Sequence, residues 1–140
     1  MDLFLAFCLD YIYKIIFSNP YIKMKRSPLQ KLKIKAVKLA IAEKLKSTPY
    51  CECCGKPAIT AHHIVEQSRS NYLRCEQRNL MSVCWSCHFL VHNAGGAKVL
   101  GGVILKRGKR WYNKLMADAQ VRIRDNQGYW LDIIKKYELY

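Results

Sequence analysis

Acidic residues are scarce in this chain: 10 Asp and Glu stand against 24 Lys and Arg in 140 residues, a formal charge of +14. So large an excess is costly in self-repulsion unless a polyanion lies nearby, and nucleic acid is the commonest such partner. A basic face that is only solvated, or that meets a membrane surface, has the same composition. An even cysteine count is missing too. Seven cysteines cannot all pair within one chain, which excludes a complete disulfide framework and points to metal binding in a reducing compartment, the cytoplasm.

No clean export or membrane segment is present. The one apolar run, residues 3–17, is broken by Asp10 and Lys14 and has no basic residue ahead of it. Its Phe4, Phe7, Tyr11 and Ile15 follow helical spacing, which reads as an extension packing on the domain or on a partner rather than as a membrane element. Met24 opens a basic stretch and is an alternative start. There is no internal repeat and no low-complexity linker, and the length suits one domain with extensions.

Four segments are expected: an N-terminal hydrophobic and basic extension at 1–26, a basic amphipathic helix at 27–48, a core at 49–96, and a basic, helical extension at 97–140 that packs on the core. Ser27 and Pro28 form an N-cap and a favoured first-turn proline. Ile34, Val37, Ile41 and Leu45 then recur at helical spacing, until Thr48 and Pro49 stop the helix. Lys31, Lys35 and Lys38 lie on its other side, where they suit phosphate contacts as well as water. The last segment shows a β-prone piece at Val99 to Leu105, a basic cluster of Lys106, Arg107, Lys109 and Arg110, and two helices. Trp111, Tyr112, Tyr129 and Trp130 beside that cluster suit base stacking or, more commonly, a core.

The chemistry lies between 51 and 92. Cys51-x-x-Cys54 and Cys84-x-x-Cys87 are two knuckles with the spacing of a four-cysteine structural zinc site, in which tight turns hold thiolates around a tetrahedral ion. Zinc there would replace core that about 40 residues cannot supply alone. Cys53 sits inside the first knuckle and is not expected to be a ligand; Cys8 and Cys75 read as free thiols. Turn residues Cys54-Gly55-Lys56-Pro57 lead into a β-prone run from Ala58 to Val65, a polar loop follows at 66–78, Leu80, Met81 and Val83 suggest a second strand, and a helix should start near Trp85 and end by Asn93 to Gly96.

All four histidines fall inside this segment. His88 and His92, four residues apart on a helix, share one face and are close enough for one cation. His62 and His63 are neighbours on a strand, so one side chain turns toward a metal while the other is free for a different task. That division suits hydrolysis, with a metal ion stabilising charge on a phosphate and a neutral histidine taking a proton from water. Two other readings stay open. Cys84-Trp85-Ser86-Cys87-His88 also matches a haem-attachment motif, which needs export, and the histidines could be extra ligands in a purely structural finger.

In this order the residues become familiar: Ala61-His62-His63-Ile64, then Arg78-Asn79-Leu80, then Cys84-x-x-Cys87-His88-x-x-x-His92 resembles the HNH endonuclease family, and Cys51 to Pro57 resembles its zinc-bearing branch. The resemblance covers 51–92 and implies an α+β fold, a ββα-metal (His-Me finger) core stapled by the four-cysteine zinc site, with flanking helices. It implies His63 as general base, Asn79 as the loop residue that holds it in line, and His62 and His88 as ligands of the catalytic cation. His92 is the third ligand in histidine-rich branches, and Asn71 is a rival for the motif asparagine. Many relatives have Asp where His62 stands. Imidazole favours zinc, nickel or manganese and magnesium prefers oxygen, so the ion is left as Mg²⁺, Mn²⁺, Ni²⁺ or Zn²⁺.

The function expected is phosphodiester hydrolysis, in double-stranded DNA, leaving a 5′-phosphate and a 3′-hydroxyl as the resemblance implies. Small enzymes of this kind serve phage DNA packaging, beside phage packaging proteins, as well as intron mobility and restriction. The alternative is a zinc-finger module that binds nucleic acid and cuts nothing.

Overall fold

The computed structural model describes residues 25–139, so the expectations for residues 3–17 and Cys8 lie outside the described residues. The first element among the described residues, α1 (Pro28–Ser47), is nucleated as its sequence predicts. Ser27 Oγ accepts from the Gln30 amide at 3.2 Å and Gln30 Oε1 accepts from the Ser27 amide at 3.0 Å, a reciprocal cap that satisfies two donors the first turn would otherwise leave open.

The helix centres its buried stripe on two alanines, with Val37 and Ile41 of the expected aliphatic stripe packed beside them. Ala36 and Ala40 are fully buried, flanked by Leu29, Leu32 and Val37, and these small residues let α5 (Gln127–Glu138) approach with Trp130 and Ile134. Ile41 packs against this core and also reaches one surface cavity, while Ile34 lines another. Trp130 is wholly buried and its Nε1 donates to Asp125 Oδ1 at 2.7 Å, so this ring is core and not a stacking platform.

Strands β1 (Thr60–His63) and β2 (Leu80–Val83) pair antiparallel, with Thr60 opposite Val83 and His63 opposite Leu80. They are shorter than the expected run from Ala58 to Val65, because Ile64 and Val65 already turn into the loop that Asn79 closes. A single 3₁₀ turn, Gln77–Asn79, delivers the chain to β2. Helix α2 (Trp85–Val91) follows directly, completing a ββα unit.

The expected strand at Val99 to Leu105 is absent. Those residues belong to α3 (Gly96–Arg107), which runs nearly into α4 (Lys109–Asp118), so the segment after 96 holds three helices where two were expected. The β-branched residues that suggested a strand are a weak local preference. Val99, Leu100 and Val103 meet the cysteine-lined core together, and only helical spacing places all three on one side. Gly108, at φ +94°, supplies the left-handed backbone that lets the chain turn between the two helices.

Candidate active site

The two knuckles converge. The sulfurs of Cys51, Cys54, Cys84 and Cys87 all lie within 4.8 Å of one another, and Cys54 Sγ is 3.6 Å from Cys84 Sγ. Tetrahedral zinc with bonds of about 2.3 Å sets sulfurs roughly 3.8 Å apart, so the donor set fits that ion. Gly55, at φ +76°, closes the first turn, where its amide donates to the Cys51 carbonyl at 2.8 Å. Burial works against the Cys51 thiolate, but the amides of Cys84, Cys54 and Cys53 outweigh it and bring the thiol down to about 6. The Cys87 amide likewise lowers Cys84. Cys87 is pushed up by burial and by the neighbouring thiols. Cys53 stays outside the four, pushed up to about 11 by burial, and Cys75 is buried in the α1–α5 core.

Helix α2 carries both centres. Cys84 is its N-cap, Cys87 lies in its first turn, and His88 and His92 follow at four-residue spacing. Opposite them on β1 stands His62. The ring nitrogens of His62, His88 and His92 fall within 4.8 Å of one another, the ring centroids are 4.8–5.7 Å apart, and His88 Nε2 is 3.2 Å from His92 Nε2. Bonds of about 2.0 Å to a tetrahedral cation place nitrogens roughly 3.3 Å apart. Burial, then the neighbouring imidazoles of His92, His88 and His63, bring His62 down to about 4, and burial with His92 lowers His88. Rings held neutral in this way keep their lone pairs free for a metal.

His63 points to the other face of β1, as alternation requires. It is only 8% exposed, more enclosed than the water-facing base expected from sequence, yet it lines a cavity of about 350 Å³ together with His62, His88 and His92. Its Nε2 lies 2.8 Å from the backbone carbonyl of Arg74. A carbonyl only accepts, so Nε2 carries the proton and the lone pair is on Nδ1. Burial lowers the His63 pKa, so the ring is neutral near pH 7.

Asn79 is fully buried and touches the base only indirectly. Its Oδ1 accepts from the Val65 amide at 2.7 Å, and its Nδ2 donates to the carbonyls of Val65 and Leu73 at 3.0 Å each. These bonds cinch the two ends of the 64–79 loop that brings the Arg74 carbonyl to His63. Asn71, the rival, donates to Asp125 at 3.1 Å on the surface and has no part in this loop closure.

Sequence reasoning missed Gln67 and Arg74. The Gln67 amide lies 3.4 Å from His63 Nδ1, and the Arg74 Nη2 donates to the Gln67 carbonyl at 2.7 Å. Both sit in an irregular polar loop with no periodicity, so no local signal marked them. Missed also was Glu52, between the cysteines of the first knuckle.

Glu52 decides the fate of one expected phosphate-binding residue. The Arg107 guanidinium donates to both Glu52 carboxylate oxygens and to the carbonyls of Arg78 and Leu80, and its face covers Trp111. Arg107 is therefore a brace that ties α3 to the knuckle and β2, its donors being occupied within the protein. Lys106 Nζ donates to the Glu52 carbonyl at 2.7 Å, and Lys35 pairs with Glu138 at 2.6 Å. Lys31, Lys38, Lys109 and Arg110 are exposed and have no side-chain partner among the described residues.

A two-stranded antiparallel hairpin closed by a helix, with a four-thiol centre at one end of that helix and an imidazole cluster at the other, defines a zinc-stapled α+β unit of the ββα-metal kind. Residues 51–94, 44 of the 140, match the model of the HNH endonuclease family, which supports membership in that family. No curated protein and no solved structure gives a significant match. No helix among the described residues is long and apolar enough to cross a membrane.

Proposed function

We propose that the protein is a metal-dependent endonuclease that hydrolyses phosphodiester bonds in DNA, leaving a 5′-phosphate and a 3′-hydroxyl. The observation that carries this reading is that three imidazoles converge in one cavity whose wall also presents His63. His62, His88 and His92 would hold a divalent cation, which when bound polarises the scissile phosphate and stabilises the departing oxygen. His63 Nδ1 takes the proton of the attacking water, displacing the long contact from the Gln67 amide, while the Arg74 carbonyl fixes the ring in the tautomer that puts the lone pair on Nδ1. Asn79 positions the base by fixing the loop. An all-imidazole set favours Zn²⁺, Ni²⁺ or Mn²⁺ over Mg²⁺, and the four-cysteine zinc is structural.

The test is plasmid cleavage with each of the four cations. Wild-type protein should nick or linearise the plasmid, and His63→Ala should abolish cutting while binding is nearly unchanged. No cutting with any ion would instead support a module that grips nucleic acid without hydrolysing it.

A further inference from the structure

A second cavity, of about 380 Å³, opens beside the N-terminal half of α1 and is lined by Arg26, Gln30, Lys33, Ile34 and Arg74. Three cations face one space. Lys33 is paired with Asp125 at 2.5 Å, a carboxylate that also accepts from Asn71 and Trp130. Arg26 has no side-chain partner among the described residues, and Arg74 has a buried Nε without one. Asp125 balances Lys33 and Arg74, which also lie over the Trp130 ring, Arg26 has no carboxylate among the described residues, and the Arg74 Nε is withdrawn from water with nothing to donate to, an arrangement that an anion would relieve.

The cavity is aligned with the histidine cluster. Ile34 lines the basic cavity and Ile41 lines the histidine cavity, and two helical turns separate them, about 10 Å along α1. Lys38, four residues from one and three from the other, lies between them on their face and not on the opposite side expected from sequence, exposed and without a partner among the described residues. Arg74 makes a second connection, since its guanidinium lines one cavity while its carbonyl holds His63 in the other.

We propose that the cavity between Arg26, Lys33 and Arg74 is a phosphate subsite for the substrate strand, holding a phosphate that neighbours the one being cut along the backbone, with Lys38 on the backbone between. This rests on the nuclease reading for the position of the cut but not for the existence of the subsite. Its contacts are to backbone and so are blind to sequence.

The test measures binding of a labelled DNA duplex by fluorescence anisotropy across a salt series. It uses the full chain carrying His63→Ala, so that affinity is read without cutting. Arg26→Ala, Lys38→Ala and Arg74→Gln should each weaken binding about three- to tenfold and reduce the salt slope by about one. Lys98→Ala, an exposed lysine of α3 that lines neither cavity, is the reference for a nonspecific loss of charge. Arg26 and Lys38 are surface positions, so their variants keep the test valid if Arg74→Gln fails to fold. A single neutral methylphosphonate, moved one nucleotide at a time to either side of the mapped cut, should at one position weaken binding to the His63→Ala protein and not to the same protein carrying Arg26→Ala. Equal affinities for the three variants and the unaltered background overturn the subsite, and so does a loss no larger than that of Lys98→Ala. If wild-type protein cuts nothing with any cation but these binding losses appear, the nuclease reading fails and the subsite stands. If it cuts and the losses are absent, the reverse holds.

Discussion

His63 and Arg74 meet through a ring nitrogen and a backbone carbonyl, 2.8 Å apart, so the orientation of the proposed base is set by main chain and not by a replaceable side chain. His63→Gln separates positioning from basicity. Its amide can still donate to the Arg74 carbonyl, but it has no lone pair basic enough to take a proton from water. We expect stability within about 1 kcal/mol of wild type and cutting slowed at least about 100-fold. Cutting within tenfold of wild type would remove His63 from the role of base.

Asn79 should be sensitive to the chemistry of its replacement more than to its shape. Asn79→Ala removes three buried hydrogen bonds and strands the Val65 amide, and should cost about 3 kcal/mol in urea denaturation. Asn79→Asp is nearly isosteric, yet it turns a carboxylate oxygen toward the carbonyls of Val65 and Leu73. It should be at least as destabilising, and a well-tolerated Asp would refute this account of the loop.

Arg107 and Arg110 lie three residues apart and should behave in opposite ways. Arg107→Ala leaves Glu52 mostly buried, with only Lys44 at 3.1 Å to balance it, and should cost about 2 kcal/mol of stability with little change in the salt slope of DNA binding. Arg110→Ala should leave thermal stability within about 0.5 kcal/mol. If Arg110 contacts DNA, its loss flattens the salt slope by about one.

The pH dependence follows from His62. Its pKa is about 4 in the folded chain against an ordinary value of 6.5, chiefly because of burial and then the neighbouring rings. Above about pH 6.5 both folded and unfolded chains hold it neutral, so it adds no slope there. As pH falls from 6.5 toward 4, the unfolded chain gains a proton that the folded chain refuses, and stability declines; His63 and His88, both lowered, act in the same direction. Chemical denaturation of protein stripped of the histidine-bound cation should show this fall, and His62→Ala should flatten it. A curve level from pH 7 to 4.5 would contradict the shifts.

The sequence made α1, the hairpin, the start of α2 and both ligand clusters legible, because caps, two-residue alternation and four-residue spacing are local signals. Three outcomes were not legible, each for a physical reason. Val99 to Leu105 carries a strand's composition but a helix's burial, and the deciding partner, the cysteine core, is 12 or more residues away. The basic cluster at 106–110 mixes an exposed arginine with one committed to Glu52, some 55 residues earlier. The enclosure of His63 depends on a loop fixed by Asn79, whose bonds join positions up to 14 residues apart. Contacts of that range leave no periodic trace.

Seven residues of α2 join the four-thiol cluster to the imidazole cluster, with Cys87 and His88 adjacent in the chain. Inactivation by chelators should therefore be biphasic. A mild chelator would strip the imidazoles and be reversed by adding cation. A strong one, acting more slowly, would dissolve the helix start on which those imidazoles depend, and activity would return only when zinc is restored before the second ion.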